Sequence, residues 1–493
     1  MTNLLRMAMV AIIAIVTITL HPQPAHAFCG FYVAKADTEL YNKASQVAIA
    51  RNGNHTVLTM GNDYQGDVSD FALVVPVPTI IGEGQVDVAE KIVLDRLDAF
   101  SAPRLVEYFD SDPCEIMTHL RQFELSAADG VARAQVSPAP TSSAALGVTI
   151  EEQFSVGEYD ILILSARESD GLETWLRQNQ YQLPNGASQV LAPYIRQGMK
   201  FFVARVNLDE FDSSGYQSLR PLQITYDSPK FMLPIRLGML NAAGDQDLIV
   251  YLLSPQGRIE LTNYRTVNIP TDIDLPLFVQ NDFGEVYPEM FQRRYEQENK
   301  NVAFLEYAWD MRSCDPCSAP VLSPDELEAA GVNWVNPSPQ QRRPAPGSVI
   351  APPLPEPSSI FISRLHVRYS RDKFPEDLMF QTTSNHQFFQ GRYVTRHAFT
   401  GSLDCPARLR EEYPNAEARR QLEEWTGQTY RDIVNGAEDL GEQYLRSLMT
   451  RFEQESQNLA RLTGRDLQTI RQRISDEVPQ PTPSPWLIRY PKS

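Results

Sequence analysis

Strand-like patterning dominates most of the chain. Ser45–Arg51 and His55–Met60 alternate loosely between apolar and polar residues around Gly53, and this turn predicts a β-hairpin. Other short runs are rich in β-branched, aliphatic and aromatic residues. They predict strands at Asp70–Pro78, Ser155–Ser165 with a bend at Gly157, Lys200–Asn207, Leu219–Tyr226, Phe231–Leu237, Leu248–Leu253, Ile259–Val267, Val302–Trp309, Ile360–Tyr369 and Gln390–Phe399.

Helical spacing of apolar residues is clearest near the end of the chain. From Asn415 to Glu477 the pattern is helical, with Gly464 ending one helix and Asp466 starting the next. The first of these helices carries an apolar stripe of Leu440, Tyr444, Leu448, Phe452, Leu459 and Leu462. Earlier helices are predicted over Ala89–Phe100, after a capping Asp170, and near Asp325–Ala330.

Proline content divides the chain, because proline cannot donate a backbone hydrogen bond and favours extended conformations. The predicted fold class is α+β: a β-rich mixed core, a proline-rich connector and a C-terminal helical segment. The segments are a signal peptide at residues 1–27, a mixed core at 28–317, the connector at 318–357, a β-rich segment packing on the core at 358–404, helices at 405–477 and a proline-rich tail at 478–493. We expect the proline-rich stretch around Pro337–Pro357, within the connector, to be the most protease-sensitive part of the mature chain.

The first residues have the layout of a cleavable secretory signal. Arg6 precedes the apolar run Met7–Leu20, and Ala25 and Ala27 supply the small residues of a cleavage site, so Phe28 is the predicted mature N-terminus. The run is shorter than the ~20 residues that span a bilayer, and no permanent membrane span is expected after cleavage. The signal predicts export by the general secretory route to the periplasm, a thylakoid lumen or the medium.

The net charge narrows the classes of partner, and the cysteine content indicates where disulfides could form. The formal net charge is −18, which disfavours nucleic acid and anionic membrane surfaces; the partner itself stays unknown. In an oxidising compartment the five cysteines are disulfide candidates: Cys29, Cys114, Cys314, Cys317 and Cys405. We expect Cys29 to pair with Cys114 and Cys314 with Cys317, which leaves Cys405 free or as an alternative partner.

Cys314 and Cys317 are separated by Asp and Pro, and this spacing admits three interpretations. The first is a structural bridge. The second is a thiol–disulfide redox site, although Pro320 disfavours the helix that would activate a thiolate. The third is a zinc site completed by His397 and Cys405.

Basic residues share one face of a predicted strand. Arg364, His366 and Arg368 alternate with apolar residues, and Arg371 follows. This face either binds an anion or pairs with acidic residues on neighbouring strands of the same protein. We find no nucleophile elbow, zincin motif or phosphate-binding loop, and no cofactor is implied.

Several strings occur in an order that is itself informative. They are Tyr64 to Asp67, Asp70 to Ala72, Pro76 to Pro78, Val156 to Asp160, Leu172 to Leu176, Leu219 to Leu222, Trp309 with Asp310, Cys314 to Cys317, His366 to Tyr369, Phe374 to Leu378 and Gln390 to Val394. In these strings the chain resembles the bacterial exported proteins grouped as domain of unknown function 2330, roughly from Cys29 to Ile474. The resemblance implies that the connector and the helices belong to one unit, and it implies no activity or catalytic residue. The sequence therefore favours a noncatalytic binding or structural protein of the cell envelope, with the redox and zinc interpretations as alternatives.

Overall fold

A computed structural model describes much of the chain. The described residues are 31–35, 41–42, 45–61, 64–65, 71–115, 149–178, 181–182, 186–207, 209–211, 219–240, 244–313, 319–335 and 359–479.

The strands are short, and most of them lie in two sheets. In chain order they are β1 (Phe31–Lys35), β2 (Tyr41–Asn42), β3 (Ser45–Asn52), β4 (His55–Gly61), β5 (Tyr64–Gln65), β6 (Phe71–Val77), β7 (Val86–Val88), β8 (Arg104–Phe109), β9 (Thr149–Val156), β10 (Tyr159–Ser165), β11 (Tyr181–Gln182), β12 (Lys200–Val206), β13 (Leu222–Asp227), β14 (Met232–Leu233), β15 (Gln246–Ser254), β16 (Ile259–Leu261), β17 (Arg265–Asn268), β18 (Ile273–Asp274), β19 (Val302–Asp310), β20 (Phe361–Tyr369), β21 (Leu378–Thr382), β22 (Phe389–Gln390) and β23 (Arg392–His397).

The helices flank the sheets and close the chain. They are α1 (Ile92–Ser101), α2 (Ser169–Gln178), α3 (Ala187–Arg196), α4 (Val279–Gln297), α5 (Pro324–Ala329), α6 (Cys405–Glu412), α7 (Ala416–Thr426), α8 (Tyr430–Ala437), α9 (Leu440–Thr463) and α10 (Leu467–Glu477). Short 3₁₀ turns occur at Glu83–Gln85 and Gly238–Leu240.

Two packed layers of strands form the centre of the protein. The larger sheet has the strand order β17-β19-β20-β15-β3-β4-β13-β7, with β22 also paired to β19; β17 with β19 and β15 with β3 are parallel neighbours, and the other pairs are antiparallel. The second sheet, β11-β1-β6-β12-β10-β9, is antiparallel throughout. Apolar residues from both inner faces, such as Val47, Leu58, Leu73 and Ile161, pack together as the main core.

Helices cover the outer face of each sheet. Leu172 of α2 and Leu191 of α3 pack on Phe201 of the six-stranded sheet. On the larger sheet, Leu97 of α1 packs over the face that carries Tyr251. The architecture is therefore helix, sheet, sheet, helix, because each sheet has two apolar faces to remove from water.

A small parallel sheet connects this core to the C-terminal helices. Its order is β18-β23-β8, and Tyr393 of β23 packs against Leu448 and Phe452 of α9. The Nδ2 of Asn458 donates to the backbone oxygen of Asp274 at 2.9 Å, which joins α9 directly to β18.

The expected fold class is confirmed: helices and several sheets are combined, and the chain ends in a helical segment. The predicted hairpin is β3–β4, with Gly53 in the turn at a φ of +59°. Helix α2 begins at Ser169, one residue before the Asp170 that was expected to cap it. The strand expected over Phe231–Leu237 shrinks to Met232–Leu233, and helices α3 and α4 were not predicted.

The stretch Pro337–Pro357, which we expect to be protease-sensitive, lies outside the described residues, so that expectation stays a prediction. Among the helices that the structure describes, none combines the length and apolar character needed to cross a bilayer.

Candidate functional site

The basic residues singled out in the sequence lie side by side on β20, at the middle of the larger sheet. Strand alternation places Arg364, His366 and Arg368 on one face. Opposite them, Asp247 lies on β15 in register with Arg368. On β19 the register shifts between Leu305 and Tyr307, and this bulge turns Glu306 toward the same face.

These side chains form a continuous line of alternating charge, which we call the charge chain. Its members in order are Asp98, Arg364, Glu306, His366, Asp247 and Arg368.

Arg364 makes the first two links of the charge chain. Its Nε donates to Glu306 Oε2 at 2.6 Å, and its Nη1 donates to Asp98 Oδ1 at 2.6 Å. The hydroxyl of Tyr251 also donates to Asp98, at 2.7 Å. Asp98 lies on α1 and is partly exposed, so this end of the charge chain reaches the surface while Glu306 is buried.

His366 occupies the centre and contacts a carboxylate through each ring nitrogen. Nδ1 lies 2.9 Å from Glu306 Oε1, and Nε2 lies 3.1 Å from Asp247 Oδ1. Both contacts require a proton on nitrogen, so the geometry suits the imidazolium form. The ring of Phe291, on α4, stacks on the imidazole with 3.8 Å between ring centres.

Arg368 closes the other end of the charge chain. Its Nε and Nη2 each donate to Asp247 at 2.7 Å, a bidentate arrangement, and Nη1 donates to Gln292 of α4 at 2.6 Å. Helix α4 thus covers the charge chain with polar and aromatic contacts together, including Tyr287, whose hydroxyl donates to Glu306 at 2.5 Å.

The protonation states follow from burial and neighbouring charge. Burial opposes ionisation of Glu306, but the charges of His366 and Arg364 outweigh it and lower the pKa of Glu306 to about 2. Burial also opposes a charged His366, yet Glu306 and Asp247 hold its pKa above the usual value. The pKa of Asp247 is lowered in spite of burial, chiefly by its bond to His366. Three carboxylates therefore face three cations.

The structure decides whether the basic face of β20 is free to bind an anion or pairs with acidic residues of the same protein. Arg364, His366 and Arg368 pair with acidic residues of neighbouring elements, so the cross-strand interpretation is confirmed and their charge is neutralised within the protein. Arg371 lies apart: its guanidinium is about 3.8 Å from the position that a Cβ on Gly186 would occupy, at the start of α3.

Sequence reasoning did not find the acidic half of the charge chain. Asp98, Asp247 and Glu306 come from three elements that are distant in sequence, and only the sheet order brings them together. One signal was present: Glu306 is a lone acid within the apolar run Val302–Trp309, where a buried charge needs a partner.

The disulfide differs from the expected pairing. Cys114 is bonded to Cys405, with 5.0 Å between Cα atoms, so the expected pair of Cys29 with Cys114 is wrong, and Cys405 takes the role of alternative partner. Cys114 lies in the segment after β8 and Cys405 begins α6, and the ion pair of Asp112 with Arg408 joins the same two segments although 291 positions separate the cysteines. Cys29, Cys314 and Cys317 lie outside the described residues.

The zinc interpretation loses Cys405 as a ligand, because Cys405 forms this disulfide. The sulfur of Cys405 is committed to the disulfide and is not a thiolate. His397 Nε2 lies 2.9 Å from Glu107, and its ring stacks on Phe109. Within the described part of the chain, no group of three or more His, Cys, Asp or Glu side chains could hold a metal ion.

Two further strings that resemble the family, Val156 to Asp160 and Phe374 to Leu378, also contribute acidic residues to buried ion pairs. Glu158 is buried and accepts from Arg220, including a 2.7 Å bond from Nη2. Asp377 accepts from the side chain of Arg236 and from the hydroxyl of Tyr194, the latter at 2.6 Å. Each pair links elements far apart in sequence, so these strings hold the architecture together.

Within its described residues, the chain is an α+β protein of two packed sheets, which the long-range Cys114–Cys405 disulfide and buried, mutually paired charges hold together. The chain belongs to the bacterial family of domain of unknown function 2330, described as "uncharacterized protein conserved in bacteria", whose family model matches residues 23–381. That region includes the charge chain and ends before the C-terminal helices. No curated protein and no solved structure matches the chain.

Proposed function

We propose that this chain is an exported, soluble, noncatalytic protein of the cell envelope with a binding or structural role. The observation that carries the proposal is the Cys114–Cys405 disulfide, which fastens the helical segment to the end of β8. Structural disulfides persist in oxidising compartments and are rare in the cytosol. Together with the signal-like residues 1–27, this bond supports export.

The noncatalytic part of the proposal rests on how the ionisable groups are used. His366 has the residue type of a general base, but both of its ring nitrogens face carboxylates and Phe291 covers its ring. Its acidic partners, Glu306 and Asp247, are held in turn by arginines. These contacts favour a structural role for the group that most resembles a catalytic cluster.

The test is an insulin-reduction assay on the mature, full-length protein. We expect no disulfide reduction above that of a double variant, Cys314→Ser with Cys317→Ser, which removes the alternative redox motif. A rate that is well above background and is lost in the double variant would overturn the noncatalytic assignment. If the protein shows any enzymatic activity, the variant His366→Gln tests whether the charge chain contributes to it.

A further inference from the structure

Helix α9 carries a carboxyl group that lacks the support given to the charge chain. Glu455 is buried, with 2% of its side chain exposed, and lies within electrostatic range of Asp274 on β18 and Arg396 on β23. Its Oε1 has no hydrogen-bond partner among the described residues. Arg451 Nε lies 3.5 Å away and forms an ion pair with Glu455, but neither atom has a hydrogen-bond partner among the described residues, so the contact is an ion pair without a hydrogen bond.

The charges around Glu455 are already balanced by one another. Arg451 Nη1 donates to both oxygens of Asp110, at 2.8 and 2.9 Å. Arg396 on β23 donates through Nε to Asp274 on β18 at 2.9 Å. Two carboxylates therefore offset two guanidinium groups, and an ionised Glu455 would add an uncompensated negative charge in a buried place.

The remaining ionisable groups near this joint have partners of their own. Tyr444 on α9 donates its hydroxyl to Asp110 at 2.5 Å. On the sheet side, His397 of β23 pairs with Glu107 of β8 at 2.9 Å. Neither supplies a positive charge directed at Glu455, so its environment favours the neutral acid.

We propose that Glu455 is protonated in the docked protein and acts as a proton-dependent latch, which holds α9 and α10 on the small sheet and loosens them when it ionises. The latch is built into the same junction that the Cys114–Cys405 bond fastens, so loosened helices stay tethered to the end of β8. Acidification of the surrounding compartment tightens the junction, and alkalinisation weakens it.

The pH window follows from the two states of the group. Burial is the largest effect on the docked Glu455, and together with the negative charges of Asp274 and Asp110 it outweighs the opposing charges of Arg451 and Arg396 and raises the pKa of Glu455 to about 8. In loosened helices the carboxyl regains its ordinary pKa of about 4.3. Between these values only the docked state holds the proton, so the opening equilibrium grows by about tenfold per pH unit and levels off above pH 8.

The experiment is amide hydrogen exchange of the full mature protein at pH 5, 6, 7 and 8, corrected for intrinsic exchange rates. In the wild type we expect the opening constant of residues 440–477 to rise by about two to three orders of magnitude over this range. Glu455→Gln, which keeps the shape and cannot ionise, should remove that rise. Glu442→Gln, an exposed acid on the same helix, should keep it.

Two outcomes would overturn the proposal: a wild-type opening constant that does not change with pH, or the same rise in Glu455→Gln. Exchange in β20 serves as an internal reference, because His366 lies there and should respond equally in both proteins.

Carbon NMR of the wild type with labelled glutamate gives a check that needs no variant. One carboxyl should titrate near pH 8, and titration of every glutamate below pH 6 would contradict the latch.

Discussion

His366 lies at the centre of the charge chain, where it joins the carboxylates of Glu306 and Asp247, and Glu306 is almost completely buried. Replacing His366 with Ala leaves Glu306 with Arg364 as its remaining cationic partner, and breaking a buried pair costs about 3–5 kcal/mol. We expect a loss of that order in the free energy of unfolding, measured with urea at pH 6. His55→Ala is the control: its partner Asp227 is largely exposed, so the loss should stay below about 1 kcal/mol.

The pH dependence of His366 has a definite sign. Its pKa is raised in the folded state, so its stabilising contribution is complete below the unfolded value of about 6.5 and is lost as pH rises through the folded value. The difference in unfolding free energy between wild type and His366→Ala should therefore shrink between pH 6 and pH 9. A difference that grows over this range would show that the imidazole is neutral in the folded protein.

At the scale of elements, we predict that alanine substitution at two helical glycines in the C-terminal segment changes the stability of the protein in opposite directions. A Cβ on Gly441, in the first turn of α9, would collide with the carbonyl oxygen of Leu403, whereas a Cβ on Gly436 in α8 would meet no atom within 4 Å. Alanine normally stabilises a helix by up to about 1 kcal/mol over glycine. Gly436→Ala should therefore stabilise the protein, and Gly441→Ala should destabilise it by about 1–3 kcal/mol.

Urea unfolding under identical conditions gives the free energy of unfolding of each variant relative to the wild type and tests this prediction. If both substitutions stabilise the protein, the close approach of α9 to the segment before α6 is absent in solution.

The elements themselves show which sequence signals were sufficient. Hairpin β3–β4 and the boundary at Gly464 were predictable because turn and cap residues mark them locally. Helix α4 was missed because Pro288 lies inside it and only part of its surface is buried, which weakens the apolar period. The strand predicted over Phe231–Leu237 was too long because its apolar residues pack into the core without ladder partners for most of their length.

At the scale of the whole molecule, contacts between distant segments decide what the sequence cannot show. The acids of the charge chain, and the pairing of Cys114 with Cys405, depend on the order of strands in sheets. The basic face of β20 could be predicted from alternation alone, whereas its partners could not. The pairing of Cys29 with Cys114 was predicted wrongly because loop length and terminal position say nothing about which segments meet.

The disulfide should contribute measurably to the stability of the whole protein. It closes a very long loop, and loss of such a bond typically costs about 2–5 kcal/mol. We expect Cys405→Ser to lower the free energy of unfolding by this amount, and reduction of the wild type to produce a similar loss. Equal stability of the oxidised and reduced wild type would mean that the bond does not constrain the fold.

The central claim, an exported protein fastened by this bond, is tested most directly by nonreducing peptide mass mapping of protein isolated from cells. We predict an N-terminal peptide that begins at Phe28 and a cross-linked peptide that joins Cys114 to Cys405. An intact Met1 with both of these cysteines reduced, or a Cys29–Cys114 cross-link, would contradict the account.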